Sequence, residues 1–134
     1  MLPQPPFPIR KECPPGACVC GRDDLLNDPQ GDVRILRMTR EEEKRLIERI
    51  ESITSYEELK RIGSRMYEQL GIVLQIAPGS REVRTVRGIS IRLAEQPGLC
   101  RKTRQNVPAA IRRCLEKNPD IVYAILNAHD LLGG

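Results

Sequence analysis

From residue 39 to 71, apolar side chains recur at helical spacing in two consecutive segments. Leu46, Ile47 and Ile50 share one face of the first; Tyr56, Leu59, Ile62, Met66 and Leu70 share one face of the second. Each segment opens with the same chemistry, Thr39 three residues before Glu42 and Ser55 three before Glu58. In such a capping box the hydroxyl accepts from an N–H that the helix leaves unmet, and the carboxylate reaches back to another. Glu41, Glu42, Glu57 and Glu58 also suit the positive end of a helix dipole. Gly71 supplies the left-handed residue that stops the second helix.

The period then shortens to two. Ile72-Val73-Leu74-Gln75-Ile76-Ala77 is rich in β-branched residues and too short for a helix, and Ile89, Ile91 and Leu93 alternate with Ser90 and Arg92. Pro78-Gly79 is placed to turn the first of these strands back, and Pro97-Gly98 to end the second. Helical spacing returns at Val107, Ala110, Ile111, Cys114 and Leu115, which puts Pro108 in a first turn, where its missing N–H does no harm. Asn118-Pro119-Asp120 restarts the chain as a last helix, with Asn as the cap, Pro at the first position and an acid beside it. Val122, Ile125, Leu126 and His129 share its face.

Ahead of these elements, the apolar stretch 33–38 follows Asp32 and predicts a first strand. The predicted order is β-α-α-β-β-α-α. It describes an α+β fold, with about four helices on a small, mostly antiparallel three-stranded sheet. Ile47, Ile50, Leu59, Met66, Leu74, Ile76, Ile91, Ile111 and Leu126 are expected in one core. Residues 1–30 break the pattern: prolines at 3, 5, 6, 8, 14, 15 and 29 favour extended or turn conformations, so this stretch reads as a largely irregular arm before a single domain at 31–134.

Composition narrows the picture. The 134 residues suit one domain, and with only Phe7, Tyr56, Tyr67 and Tyr123 as aromatics the core must be aliphatic. No apolar run approaches the ~18–20 residues that span a bilayer, and the opening MLPQPPFPIRKEC lacks the apolar stretch of a secretory signal. The expectation is a cytoplasmic chain with no membrane partner. Net charge is +4, and it is unevenly held: residues 72–117 carry ten basic side chains against three acidic, whereas residues 39–71 carry seven against eight.

Three sets of residues could carry chemistry. The first is catalytic: His129 is the only histidine, and no nucleophile or orienting acid is patterned with it, so it reads as a capping or half-buried side chain. The second is the cysteines. Cys13, Cys18 and Cys20 form C-x4-C-x-C around Pro14-Pro15-Gly16, a turn able to gather thiolates. With Cys100 as a fourth ligand they would complete a tetrahedral zinc site. An odd cysteine count without an export signal argues against a disulfide framework, and reduced thiols are the plainer reading. Cys114, on an apolar helix face, reads as core.

The third set is basic. Arg81, Arg84, Arg87 and Arg92 lie on the hairpin; Arg101, Lys102 and Arg104 lead into a helix that carries Arg112 and Arg113. The planar guanidinium fork meets two phosphate oxygens at once. A solvated positive face is the competing reading, since the chain uses Arg seventeen times against five Lys. Few aromatics means no stacking platform for unpaired bases, so nucleic acid would be met through its backbone.

The leading expectation is a small non-enzymatic binding domain whose partner is nucleic acid. One alternative is a zinc-dependent or thiol-based regulatory module built on the N-terminal cysteines. Another is a protein-interaction adaptor docking a partner through Pro5-Pro6-Phe7-Pro8-Ile9-Arg10, a PxxPxR pattern.

Overall fold

The computed structural model describes residues 22–78 and 88–133. Cys13, Cys18, Cys20, the PxxPxR stretch, Gly79, Arg81, Arg84, Arg87 and the side chain of His129 lie outside the described residues. Helices α1 (Arg22–Leu26), α2 (Arg40–Glu51) and α3 (Tyr56–Leu70) precede the antiparallel pair β1 (Leu74–Pro78) and β2 (Ile89–Leu93); α4 (Arg101–Lys117) and α5 (Pro119–Gly133) follow. The fold is mixed α+β and mostly helical, and the described residues hold a two-stranded sheet rather than three strands.

The missing strand is Val33–Arg37, which forms a 3-10 helix. The Asp32 carboxylate caps it, accepting from the Arg34 N–H at 3.1 Å. A strand would send Ile35 and Leu36 to opposite faces; here both are fully buried. Arg34 and Arg37, one 3-10 turn apart, stay at the surface. Arg34 also fastens this element to α3. Its Nη1 donates to the carbonyls of Tyr67 (3.0 Å) and Glu68 (3.1 Å), while Nε and Nη2 donate to Asp32. A cation is thereby set on the negative end of α3, over the Tyr67 ring. That arrangement holds the Asp32 carboxyl below its ordinary value, chiefly through the Arg34 hydrogen bond. Gly71 ends α3 at φ +71, and a Cβ there would lie 2.7 Å from Asp32 Oδ2.

Both capping hydroxyls act as expected. Thr39 Oγ1 accepts from the Glu42 N–H at 3.3 Å, and Ser55 Oγ from the Glu58 N–H at 3.2 Å. The carboxylates turn elsewhere: Glu42 pairs with Arg45, and Glu58 accepts from the hydroxyls of Thr54 and Ser55.

In the hairpin, Leu74 pairs with Leu93, Ile76 with Ile91 and Pro78 with Ile89, so Pro78 closes the strand instead of opening its turn. Ile89, Ile91 and Leu93 are buried and Ser90 and Arg92 exposed, as the alternation predicts. A lone two-stranded ribbon is marginal in water. This one rests on α4 along β2 and on α3 and α5 along β1.

The chain leaves β2 through Gln96-Pro97-Gly98-Leu99, where the Leu99 N–H donates to the Gln96 carbonyl at 3.2 Å and Gly98 takes φ +86. That positive φ is what the third residue of a type II turn requires. A Cβ on Gly98 would meet Ile35 Cγ2 at 2.7 Å and Leu25 Cδ2 at 2.9 Å. Leu25 is buried in the same core, so packing reaches back into the stretch read as an irregular arm.

Helix α4 begins at Arg101, which leaves Pro108 in its interior rather than its first turn. An interior proline removes one backbone hydrogen bond and costs about 3 kcal/mol where nothing offsets it. The offset is burial: Thr103 extends the stripe of Val107, Ala110, Ile111, Cys114 and Leu115 one turn towards the start, and all six are buried. At the other end, Cys114 Sγ (3.4 Å) and Asn118 Nδ2 (3.0 Å) both donate to the Ile53 carbonyl, tying α4 to the α2–α3 connection. Asn118 thus uses its amide on Ile53, and its backbone carbonyl accepts from the Ile121 N–H at the start of α5.

Ile50, Leu59, Met66, Ile91, Ile111 and Leu126 are buried in one cluster, with Ile47, Leu74 and Ile76 half-buried at its edge. No helix among the described residues is long and apolar enough to cross a membrane.

Candidate functional site

The fold gathers part of the basic set at one place. Arg92 stands on the outward face of β2, directly across from Gln75 of β1. The turn at Gly98 reverses the chain, so the first turn of α4 comes back alongside the end of β2. Between them lies an open cleft of about 540 Å³, lined by Gln75, Arg92, Glu95, Arg101, Arg104 and Gln105. Arg104 Nη1 donates to Glu95 Oε1, and Glu95 is the one carboxylate in the cleft lining. Arg92 and Arg101 are exposed and hold no ion pair among the described residues. Lys102, beside them on the same turn, is exposed as well.

The helix end sharpens this charge. No acidic residue stands in the first turn of α4, and the capping residue, Cys100, gives it no side-chain hydrogen bond. The first N–H groups of a helix carry partial positive charge. Arg101, Lys102 and Arg104 are stacked on that same end, an arrangement that raises the local potential and costs the helix stability.

Two other predicted members are elsewhere. Arg112 Nη2 donates to the Ile89 carbonyl at 3.2 Å, pinning α4 to the start of β2. Arg113 Nη2 pairs with Glu51 at 2.9 Å, pinning it to α2. Both bond within the fold, away from the cleft. Their spacing on a helix could not reveal this, because the partners are 23 and 62 residues away.

Of the four cysteines assigned to zinc, Cys100 alone is described, half-buried at the cap of α4. Among the described residues no group of three or more His, Cys, Asp or Glu side chains is placed to hold a metal ion. Cys114 is buried, and burial pushes its thiol pKa up, which keeps it protonated and inert.

A second and larger concavity, about 980 Å³, lies between α2 and α3. Sequence periodicity did not point to it, because the apolar faces of α2 and α3 read as wholly core. The structure leaves their edges, Leu46, Ile62 and Leu70, only half-buried.

No protein-family model, curated protein or solved structure is significantly similar to the chain.

Proposed function

We propose that this is a non-enzymatic binding domain that holds the phosphate backbone of duplex or structured nucleic acid in the cleft between β2 and the start of α4. One observation supports this above others: Arg101, Lys102 and Arg104 sit on the helix end where cations are least favourable, and Arg101 and Arg104 line an open cleft with Arg92. An anion relieves that repulsion and gains the unmet N–H groups of the first turn. A phosphate backbone supplies anions in a row, matching cations that run from the strand face onto the helix. Arg92 and Arg101 each offer a fork to phosphate oxygens, and Gln75 and Gln105 add neutral donors. With the cleft free of aromatic side chains, the contact carries little base preference.

The test is binding to a labelled duplex across a salt series. Three phosphate contacts, from Arg92, Arg101 and Lys102, give a log–log slope of about −2.7 on DNA. Reversal of all three to Glu removes binding, while reversal of Arg40 and Lys44, exposed on α2, changes it little. Absence of binding to any polyanion, heparin included, at about 50 mM salt overturns the proposal.

A further inference from the structure

Consecutive helices usually pack on each other, but α2 and α3 lean on different partners. Helix α2 lies against α4, held there by Ile50 in the core and by the Arg113–Glu51 pair. Helix α3 lies against the 3-10 helix, β1 and α5. The gap between them is the 980 Å³ groove. Its floor is aliphatic, made by Met38, Leu46, Ile62 and Leu70. Its walls are two rows of arginine, Arg45 and Arg49 on α2 and Arg61 and Arg65 on α3, each pair one helical turn apart and exposed. Arg45 is answered by Glu42. Arg49, Arg61 and Arg65 hold no ion pair among the described residues.

We infer that this groove docks an acidic amphipathic helix from a protein partner. The inference concerns a different face from the phosphate cleft and does not depend on it. Three features choose the occupant. The aliphatic floor between charged walls fits an apolar stripe flanked by acids, which is how a helix lies in a groove. The rows fit in spacing too: cations at i and i+4 are roughly 6 Å apart along the axis, the same rise that separates acids at i and i+4 of an incoming helix. The lining runs over residues 39–52, α2 with its two caps, and over residues 58–70 of α3, so it spans roughly 18–20 Å and receives three turns or slightly more.

Charge separates this occupant from its rivals. Three carboxylates, Glu42, Glu48 and Glu58, also face the groove. They would repel a continuous phosphate backbone, whereas a helix can leave those points neutral or basic. The chain's own first 21 residues are unsuited, since they carry Arg10 and Lys11 against Glu12 alone.

The probe is a blocked synthetic peptide of about 15 residues, with Leu at i, i+4, i+7 and i+11 and Glu on both flanks. Two companions accompany it: one of identical composition with the Leu stripe scrambled, and one with Lys for every Glu. Binding to the full-length chain is measured by fluorescence anisotropy and by amide NMR shifts. The Leu–Glu peptide binds and moves the signals of Leu46, Ile62 and Leu70, and neither companion binds comparably. Arg61→Glu with Arg65→Glu weakens it at least tenfold, and Arg61→Lys with Arg65→Lys keeps most of the affinity. Arg101→Glu with Lys102→Glu leaves it unchanged, so failure here and failure of the phosphate cleft are read separately. Circular dichroism confirms that each variant is folded. Equal binding by the scrambled peptide, no loss on reversal, or no binding at about 1 mM peptide overturns the inference. So does displacement of the groove signals by duplex RNA or by self-association of the chain.

Discussion

Reversing Arg101 and Lys102 to Glu should make the protein more stable while removing its affinity for phosphate. Read as a loop, these positions would leave stability unmoved; as the first turn of α4 they face the positive end of a helix dipole. A charge at that position is worth about 0.3–1 kcal/mol when exposed, and reversal removes two repulsions and adds two attractions. After allowance for solvent and salt, about 1–2 kcal/mol remains. For a domain of this size that is a rise in Tm of about 3–8 °C. Arg104 is left in place because it answers Glu95. Lys117, in the last turn of the same helix, is the opposite-sign control, and Lys117→Glu should lower stability by about 0.3–1 kcal/mol. The assay is thermal unfolding followed by circular dichroism at low salt and again at about 1 M, where both effects should shrink. A fall or no change in Tm for the double variant at low salt, with Lys117→Glu behaving as stated, would refute the account of this helix end.

Further expectations concern the framework. Gly71→Ala should lose about 1–2 kcal/mol in urea melts, because its left-handed φ is strained for any Cβ and Asp32 stands in the way; a neutral result would mean the α3 end can rotate. The Asp32 carboxyl is held below its ordinary 3.8, so its contribution is present above that value and lost as pH falls through the lower folded value. Wild type should therefore exceed Asp32→Asn in stability near neutrality and converge with it in acid, and a constant gap would remove the Arg34 link as its cause. Ile111→Ala, at a fully buried site, should cost about 2–5 kcal/mol, and a loss of a few tenths would misplace the α4 face. Cys114 should resist a thiol reagent at pH 8 until denaturant is added, as traced by mass of its peptide; immediate labelling would show an open α4–α2 contact.

The helices α2 and α3, the β2 alternation and the Pro119 restart were legible because each follows from a local rule: a cap, a period, a missing N–H. What failed depended on distant partners. Stretch 33–37 has strand composition, and only the core that takes Ile35 and Leu36 together decides for a 3-10 helix. The spacing of Arg34 and Arg37 after a capping Asp was the available signal. Pro108 was expected in a first turn, but α4 starts at Arg101, and the buried Thr103, one turn before Val107, lets the helix run through an interior proline. The same error made a loop of the cleft's helix wall. Of the basic set, Arg92, Arg101 and Arg104 do converge, but nothing along the chain distinguished them from Arg112 and Arg113, whose hydrogen bonds lie inside the fold.

The buried turn at Gly98 links two ends of the chain. Leu25 and Ile35 close over it, so the angle at which α4 leaves β2 depends on side chains made some sixty to seventy residues earlier. Thermodynamics runs the relation in both directions. A ligand spanning Arg92 and Arg101, if it requires the Gly98 turn as built, would favour the state in which Leu25 is seated, and unseating Leu25 would weaken that ligand by the same factor. The segment before the 3-10 helix thus packs under the turn that sets where the cleft's helix wall begins.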